Sequence, residues 1–160
     1  MEKIDLYAQI LNELYTTRQS NLLIDALGHA VDSTYDDKKN IHDVLQSVLP
    51  FDQSDTLVEI AKETHIDLND NIQAQTFISD LITILKELPT VDLTLAYSPT
   101  YEQLRSYSKW WRRNSQPFIL LNITINKGLI AGAMIEYDGI MRDYSLHKVL
   151  GTYIEEKHEK

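Results

Sequence analysis

The sequence predicts an α+β protein: an all-helical bundle over residues 1–89, followed by a small strand-helix-strand-strand-helix domain over residues 90–160. Three observations carry that expectation. Up to Pro89 the apolar residues recur every three or four positions, the period of a helix with one buried face. Beyond Pro89 they alternate, first in Val91–Tyr97 and again in Ile119–Ile125, the period of a strand. The charge changes at the same place. Residues 1–90 hold 6 basic and 16 acidic side chains, a net of −10, whereas residues 91–160 hold 9 and 8, a net of +1. Such asymmetry suits two domains with different partners.

In the first half, residues 3–16 read as a helix with Ile4, Tyr7, Ala8, Leu11, Leu14 and Tyr15 on one stripe and Leu6 and Ile10 on a second. Ser20 is placed as the N-cap of the next helix, which carries Leu22, Leu23, Ala26, Leu27, Ala30 and Val31, with Gly28 in its middle. A glycine there costs about 1 kcal/mol relative to alanine, so a packing reason is expected. Tyr35 to Asn40 reads as a turn, and Ile41–Leu49 as a short helix stopped by Pro50. Ser54 or Asp55 opens a fourth helix. A long fifth helix ends at Pro89, with Ala74, Ile78, Ile82 and Leu85 on one side and Phe77, Leu81, Ile84 and Leu88 on the next. The first and fifth helices are apolar over more surface than one core contact requires. They are the candidate walls of an exposed groove for a partner helix, with Leu6, Tyr7, Ile10, Leu11, Leu14, Phe77, Leu81 and Ile84 as its lining. The alternative is a bundle that buries both helices deeply.

After the first strand, Ser98-Pro99 is expected to cap and start a helix whose core face holds Tyr101, Leu104, Ser108 and Trp111. The next strand runs to Ile125. The stretch from Ile125 to Leu150 then reads as strand, hairpin, strand, short link and helix. Asp138-Gly139 between apolar runs is the two-residue type I′ turn signal. Gly132 inside the strand pattern marks a bulge or a close backbone approach. Asp143 and Ser145 offer side-chain oxygens to the open N–H groups of a helix carrying Leu146, Val149, Leu150 and Tyr153.

The composition bounds the function. With 160 residues and 43% hydrophobic content, the chain has a core for one or two small domains. It has no cysteine, which excludes disulfides, thiolate catalysis and cysteine-ligated zinc. A net charge of −9 argues against nucleic acid as a partner. No apolar run approaches the roughly 20 residues that span a bilayer, and MEKIDLYAQI lacks a signal-peptide pattern. The glycines form no phosphate loop or dinucleotide fingerprint. Asp67–Asn71 begins like a calcium loop but has Ile72 and Ile78 where glycine and glutamate are needed. The histidines lack the spacing of a zinc site. No catalytic, cofactor or metal residue is assigned. In Lys109-Trp-Trp-Arg-Arg113, Trp111 belongs to the core stripe and Trp110 is expected under an arginine side chain. Trp110 and Arg113 are the anchors of a candidate docking patch for an acidic protein segment, against the plainer reading of a solvated helix face.

Gly128-Leu129-Ile130-Ala131-Gly132, then Asp138-Gly139, then Asp143-Tyr144-Ser145 with Leu146 and Leu150, together resemble the C-terminal signature of the delta subunit of F-type ATP synthase, the oligomycin-sensitivity-conferring protein family. Ala131 stands in place of the first glycine of the family's pair, and Asn126 in place of an aspartate. Tyr7-Ala8-x-x-Leu11 is similar to the family's opening motif, with Ile10 for its second alanine. The resemblance implies a non-catalytic stator subunit, without cofactors, on the cytoplasmic face of the cell membrane. On that expectation the bundle grips the N-terminal helix of the alpha subunit, and the C-terminal domain holds the b-subunit stalk helices. Membrane association would then come only through the complex. Gly128, Leu129, Ile130, Gly132, Asp143, Ser145, Trp110 and Arg113 become the signature and stalk-side residues. Two other classes stay open: a free-standing scaffold or regulatory module for another amphipathic helix, and a small enzyme.

Overall fold

A computed structural model describes residues 2–33, 41–146 and 148. The protein is α+β, with helices first and a four-stranded mixed sheet after them. It forms two compact units: Met1–Leu14 with Arg18–Leu88, and Tyr15–Thr17 with Pro89–Lys160. The second unit therefore takes three residues from near the start of the chain, which no feature of the sequence foretells.

The first unit contains α1 (Glu2–Leu6), α2 (Ala8–Glu13), α3 (Thr17–Ser33), α4 (Ile41–Val48), α5 (Phe51–Glu63) and α6 (Asn71–Glu87). The expected first helix is divided at Tyr7, whose φ −95°, ψ 9° leaves the helical region. Its N–H reaches back three residues to the Ile4 carbonyl, and its ring packs on Phe77 with centroids 5.5 Å apart. A long-range contact thus overrides local helix continuity. The second helix begins at Thr17, so Ser20 is a buried residue of the helix interior and not its cap. Pro50 precedes α5, which opens at Phe51; Ser54 lies inside it and donates its hydroxyl to the Phe51 carbonyl. Gly28 has no packing reason, since a Cβ built there meets no atom within 4 Å. The turn expected at Tyr35 to Asn40 lies outside the described residues.

The core of this unit is mostly aliphatic: Leu23, Leu27 and Ala30 from α3, Ile41 and Leu45 from α4, Leu57 and Ile60 from α5. From α6 come Ala74, Phe77, Ile78, Leu81 and Leu85, a single wide stripe; Ile82 and Ile84 are only half-buried. Asp70 starts α6 by accepting the N–H groups of Ile72 and Gln73 at 2.9 and 3.3 Å. The Gln73 and Ile72 N–H groups hold its carboxyl below the usual range. Asp67, its neighbour in the calcium-like run, is turned onto the Asn69 N–H and amide. Local backbone geometry therefore accounts for both carboxylates.

The second unit runs β1 (Thr90–Leu95), α7 (Tyr101–Asn114), β2 (Leu120–Ile125), β3 (Ala133–Tyr137) and β4 (Ile140–Asp143). The strand order is β2-β1-β3-β4; β1 and β2 are parallel through α7, and the other pairs are antiparallel. Tyr15–Thr17 lies along the free side of β2, with the Leu121 N–H donating to the Tyr15 carbonyl at 2.9 Å. Val91, Leu93, Ile119 and Leu121 form the core, and Leu104, Tyr107 and Trp111 of α7 pack against it. Tyr101, expected on that face, is exposed and meets the Tyr15 ring instead. The cap of α7 is Thr100, not Ser98: its hydroxyl accepts the Gln103 N–H while Gln103 accepts the Thr100 N–H. This reciprocal T-x-x-Q box satisfies two donors that the helix start leaves open.

Candidate functional site

The expected strand through Gly128–Gly132 is a turn. Asn126 accepts the Gly128 N–H at 2.9 Å and opens one turn of 3-10 helix, Lys127–Leu129. Ile130 then sits at φ 64°, ψ −56°, and the Ala131 N–H donates to the Leu129 carbonyl at 2.7 Å. That is the positive-φ γ-turn, rare and strained, and the more so for a β-branched residue. Leu129 is buried, whereas Gly128 and Ile130 face solvent. Gly132 has φ 89°, and a Cβ there would lie 2.3 Å from the Tyr144 carbonyl oxygen, so the close approach expected of this glycine is present. Asp138 and Gly139, at φ 51° and 71°, make the two-residue hairpin between Tyr137 and Ile140. Asp143 accepts the Ser145 N–H at 2.8 Å, and Ser145 accepts the Lys148 N–H at 3.3 Å, so both oxygens serve a helix start. The apolar positions expected beyond it, Val149, Leu150 and Tyr153, lie outside the described residues.

The second unit holds an apolar pocket of about 460 Å³ on the α7 face of the sheet. Leu93, Leu95 and Tyr97 reach it from β1 and its exit, because alternate residues of a strand share a face. Ala133 and Ile135 come from β3, Gly132 from just before it, Tyr144 from just after β4, and Tyr107, Trp110 and Trp111 from α7. The Tyr97 and Tyr107 hydroxyls lie 2.8 Å apart, and this bond, with burial second, holds the Tyr107 hydroxyl above its ordinary range. Trp110 stands edge-on to Trp111 at 5.2 Å. The arginine contact expected at Trp110 forms elsewhere: the Arg112 guanidinium lies 5.9 Å from the Tyr15 ring centroid. Burial lowers the Arg112 pKa. Of the residues assigned to the stalk side, Trp110 and Gly132 share the pocket, while Arg113 is exposed on α7 outside its lining.

In the first unit a smaller cleft of about 310 Å³ is lined by Leu6 and Tyr7, by Ile66, and by Ile72, Gln73, Thr76, Phe77 and Asp80 of α6. Leu6, Tyr7 and Phe77 thus come together as expected of a groove between the first and long helices. Ile10, Leu11, Leu14 and Leu81 do not: they are 2% exposed or less and form the interior of the bundle. Ile84 is half-buried and outside the cleft. Both stripes of the first helix send residues into the core, Leu11 and Leu14 from one and Ile10 from the other, because the chain bends at Tyr7; Ile4 stays exposed and Leu6 borders the cleft. Ile72, Thr76 and Asp80, spaced four apart on α6, are the lining that the stripe argument passed over. Tyr7 donates its hydroxyl to the Phe77 carbonyl at 3.4 Å. Burial, and then the Asp80 charge, push its pKa up to about 12.

Among the described residues no group of three or more histidine or carboxylate side chains is placed to hold a metal ion. Within the same residues no helix is long and apolar enough to cross a membrane. On the surface of α4, His42 lies 3.5 Å from the Asp43 carboxylate. His65 instead takes φ 56° at the end of α5, where the His65 and Ile66 N–H groups close onto the Lys62 and Ala61 carbonyls. That is a Schellman ending with histidine in the usual glycine position. No protein-family model and no curated protein matches this chain.

Proposed function

We propose that this chain is a stator adaptor, acting as the delta subunit of a rotary F-type ATP synthase. The observation that carries the reading is the apolar cleft between α1 and α6, floored by Leu6, Tyr7 and Phe77. The resemblance assigns an alpha-subunit helix to this pair of helices, and an apolar helix face needs such a cleft. The order β1-α7-β2-β3-β4, the Asp138-Gly139 hairpin and the Asp143/Ser145 cap support the same reading from the second unit. The turn at Gly128–Gly132 departs from the family's strand.

The function is then mechanical. The acidic first unit holds the catalytic head, the second holds the b-subunit stalk helices, and the joint keeps the head from turning with the rotor. ATP is made in other subunits, and the membrane is reached only through the complex. Tight, slowly dissociating contacts serve that role.

The test is a calorimetric titration of the full chain with a peptide of the cognate alpha subunit's N-terminal segment. Submicromolar one-to-one binding is expected, weakened about tenfold or more by Ile72→Asp. Ile72 is 77% exposed, so that change leaves the bundle folded. A folded wild-type chain that does not bind the peptide returns the protein to the class of scaffold modules for some other helix.

A further inference from the structure

The pocket of the second unit has more structure than a stalk contact alone requires. Its volume of about 460 Å³ lies within the range of ligand-sized sites. Leu93, Leu95 and Ile135 make an aliphatic floor, and Tyr97, Trp110 and Tyr144 stand at the rim, 45, 58 and 57% exposed. Large exposed aromatic rings around an apolar centre are the make-up of an interface hot spot.

The placement of charge says what kind of partner fits. None of the lining residues is charged, and two of its tyrosine hydroxyls, those of Tyr97 and Tyr107, are bonded to each other. The charge lies outside, on the same helix: Arg105, Lys109 and Arg113 are exposed on α7, whose one acid is Glu102. A small molecule seated wholly within the pocket would find few polar anchors. A chain that continues past the rim would meet the basic residues on either side of Trp110.

We propose that this pocket docks an acidic protein segment, which inserts one bulky aromatic or branched apolar side chain and lays its flanking carboxylates along the Lys109 and Arg113 side of α7. The rim rings clamp the anchor, and the basic face selects its neighbours and speeds encounter. The inference does not rest on the stator reading, because the pocket and the basic face beside it are the same whatever the first unit binds.

The experiment is a random-peptide display selection on the immobilised full chain, with one enriched peptide then made with a fluorescein label and titrated by anisotropy. Enriched sequences should carry tryptophan, phenylalanine or leucine between aspartate and glutamate residues. Trp110→Ala should weaken the labelled peptide about tenfold or more. Lys109→Glu/Arg113→Glu should weaken it several-fold, as should raising salt from about 50 to 300 mM. All three side chains are exposed, so circular dichroism should show both variants folded. Enrichment of peptides indifferent to both variants, or no enrichment, overturns the proposal. So does stoichiometric binding of anilinonaphthalene sulfonate that needs Trp110 when no peptide is enriched, which would assign the pocket to a small apolar anion. Trp110→Ala should leave alpha-subunit peptide binding intact, so failure here and failure of the stator reading are distinguishable.

Discussion

Gly132→Ala is the most direct probe of the second unit. An alanine Cβ at this position would sit 2.3 Å from the Tyr144 carbonyl oxygen and 3.0 Å from the Ser145 Cα, both backbone atoms that no rotamer change can move aside. The chain leaving β4 would have to retreat. It is held on either side of the glycine by the Tyr144 N–H to Ala133 carbonyl and Leu146 N–H to Ala131 carbonyl bonds, at 2.8 and 2.9 Å. Losing both costs about 2 kcal/mol. The residue would also keep φ near 89°, a further cost of about 1–2 kcal/mol for an L side chain. The expected destabilisation is therefore about 3–4 kcal/mol. Gly139→Ala is the control. It shares a positive φ of 71° but has no atom within 4 Å of its built Cβ, so only the conformational cost of about 1–2 kcal/mol applies. Both tryptophans belong to the second unit, so urea unfolding followed by tryptophan fluorescence reads this unit specifically. If Gly132→Ala costs no more than Gly139→Ala, the close approach does not constrain the fold and the argument fails.

Three further outcomes are expected in the first unit. Gly28→Ala should raise stability by about 1 kcal/mol, measured by helix circular dichroism in urea, because the position is helical and open; a loss would mean the space is not free. His65→Gly should gain about 0.5–1 kcal/mol by relieving φ 56° at the end of α5, and an unchanged midpoint would count against strain there. Tyr7 carries a hydroxyl pKa raised from 10.0 to about 12. The folded state thus holds this proton more tightly than the unfolded chain does. Its contribution is fully present below pH 10 and is lost as pH rises toward about 12. Urea midpoints of the helical signal should fall over that window in wild type and fall less in Tyr7→Phe. Parallel curves for the two proteins would refute the assignment.

The change of hydrophobic period at Pro89 made the α+β class legible, since a buried helix stripe and a half-buried strand impose different spacings on the same residue types. The hairpin was legible for a local reason: Asp138-Gly139 fits a turn whose two central residues both need positive φ. The cap of α7 was also written locally, in Thr100-x-x-Gln103, but the proline at position 99 drew the assignment two residues early. What periodicity did not reveal depends on contacts distant in sequence. Tyr7 breaks the first helix where it meets Phe77, seventy residues away. That bend decides that Ile10, Leu11 and Leu14 face inward while Leu6 borders the cleft. A stripe count shows that a helix is apolar on two sides; it does not show which side is left for a partner. The Gly128–Gly132 run failed as a strand for another reason, because φ at Ile130 is opposite in sign to what a β-branched residue normally adopts.

The tripeptide Tyr15–Thr17 has a consequence for how this protein is made. It runs from the link after α2 into the first residue of α3 yet lies along the outer edge of β2, with the Thr17 hydroxyl bonded to Asn122, 105 residues downstream. During synthesis these residues leave the ribosome about a hundred residues before the strand they accompany, so the sheet edge stays unfinished until β2 has emerged. Closing so long a loop adds little entropy beyond that of a shorter one, since the penalty grows only logarithmically. Timing is the sharper constraint. A fragment begun at Pro89 would present β2 with a bare row of peptide groups, the surface through which sheets join other chains. The covalent boundary at Pro89 is therefore not a place where the molecule can be cut into two self-sufficient halves.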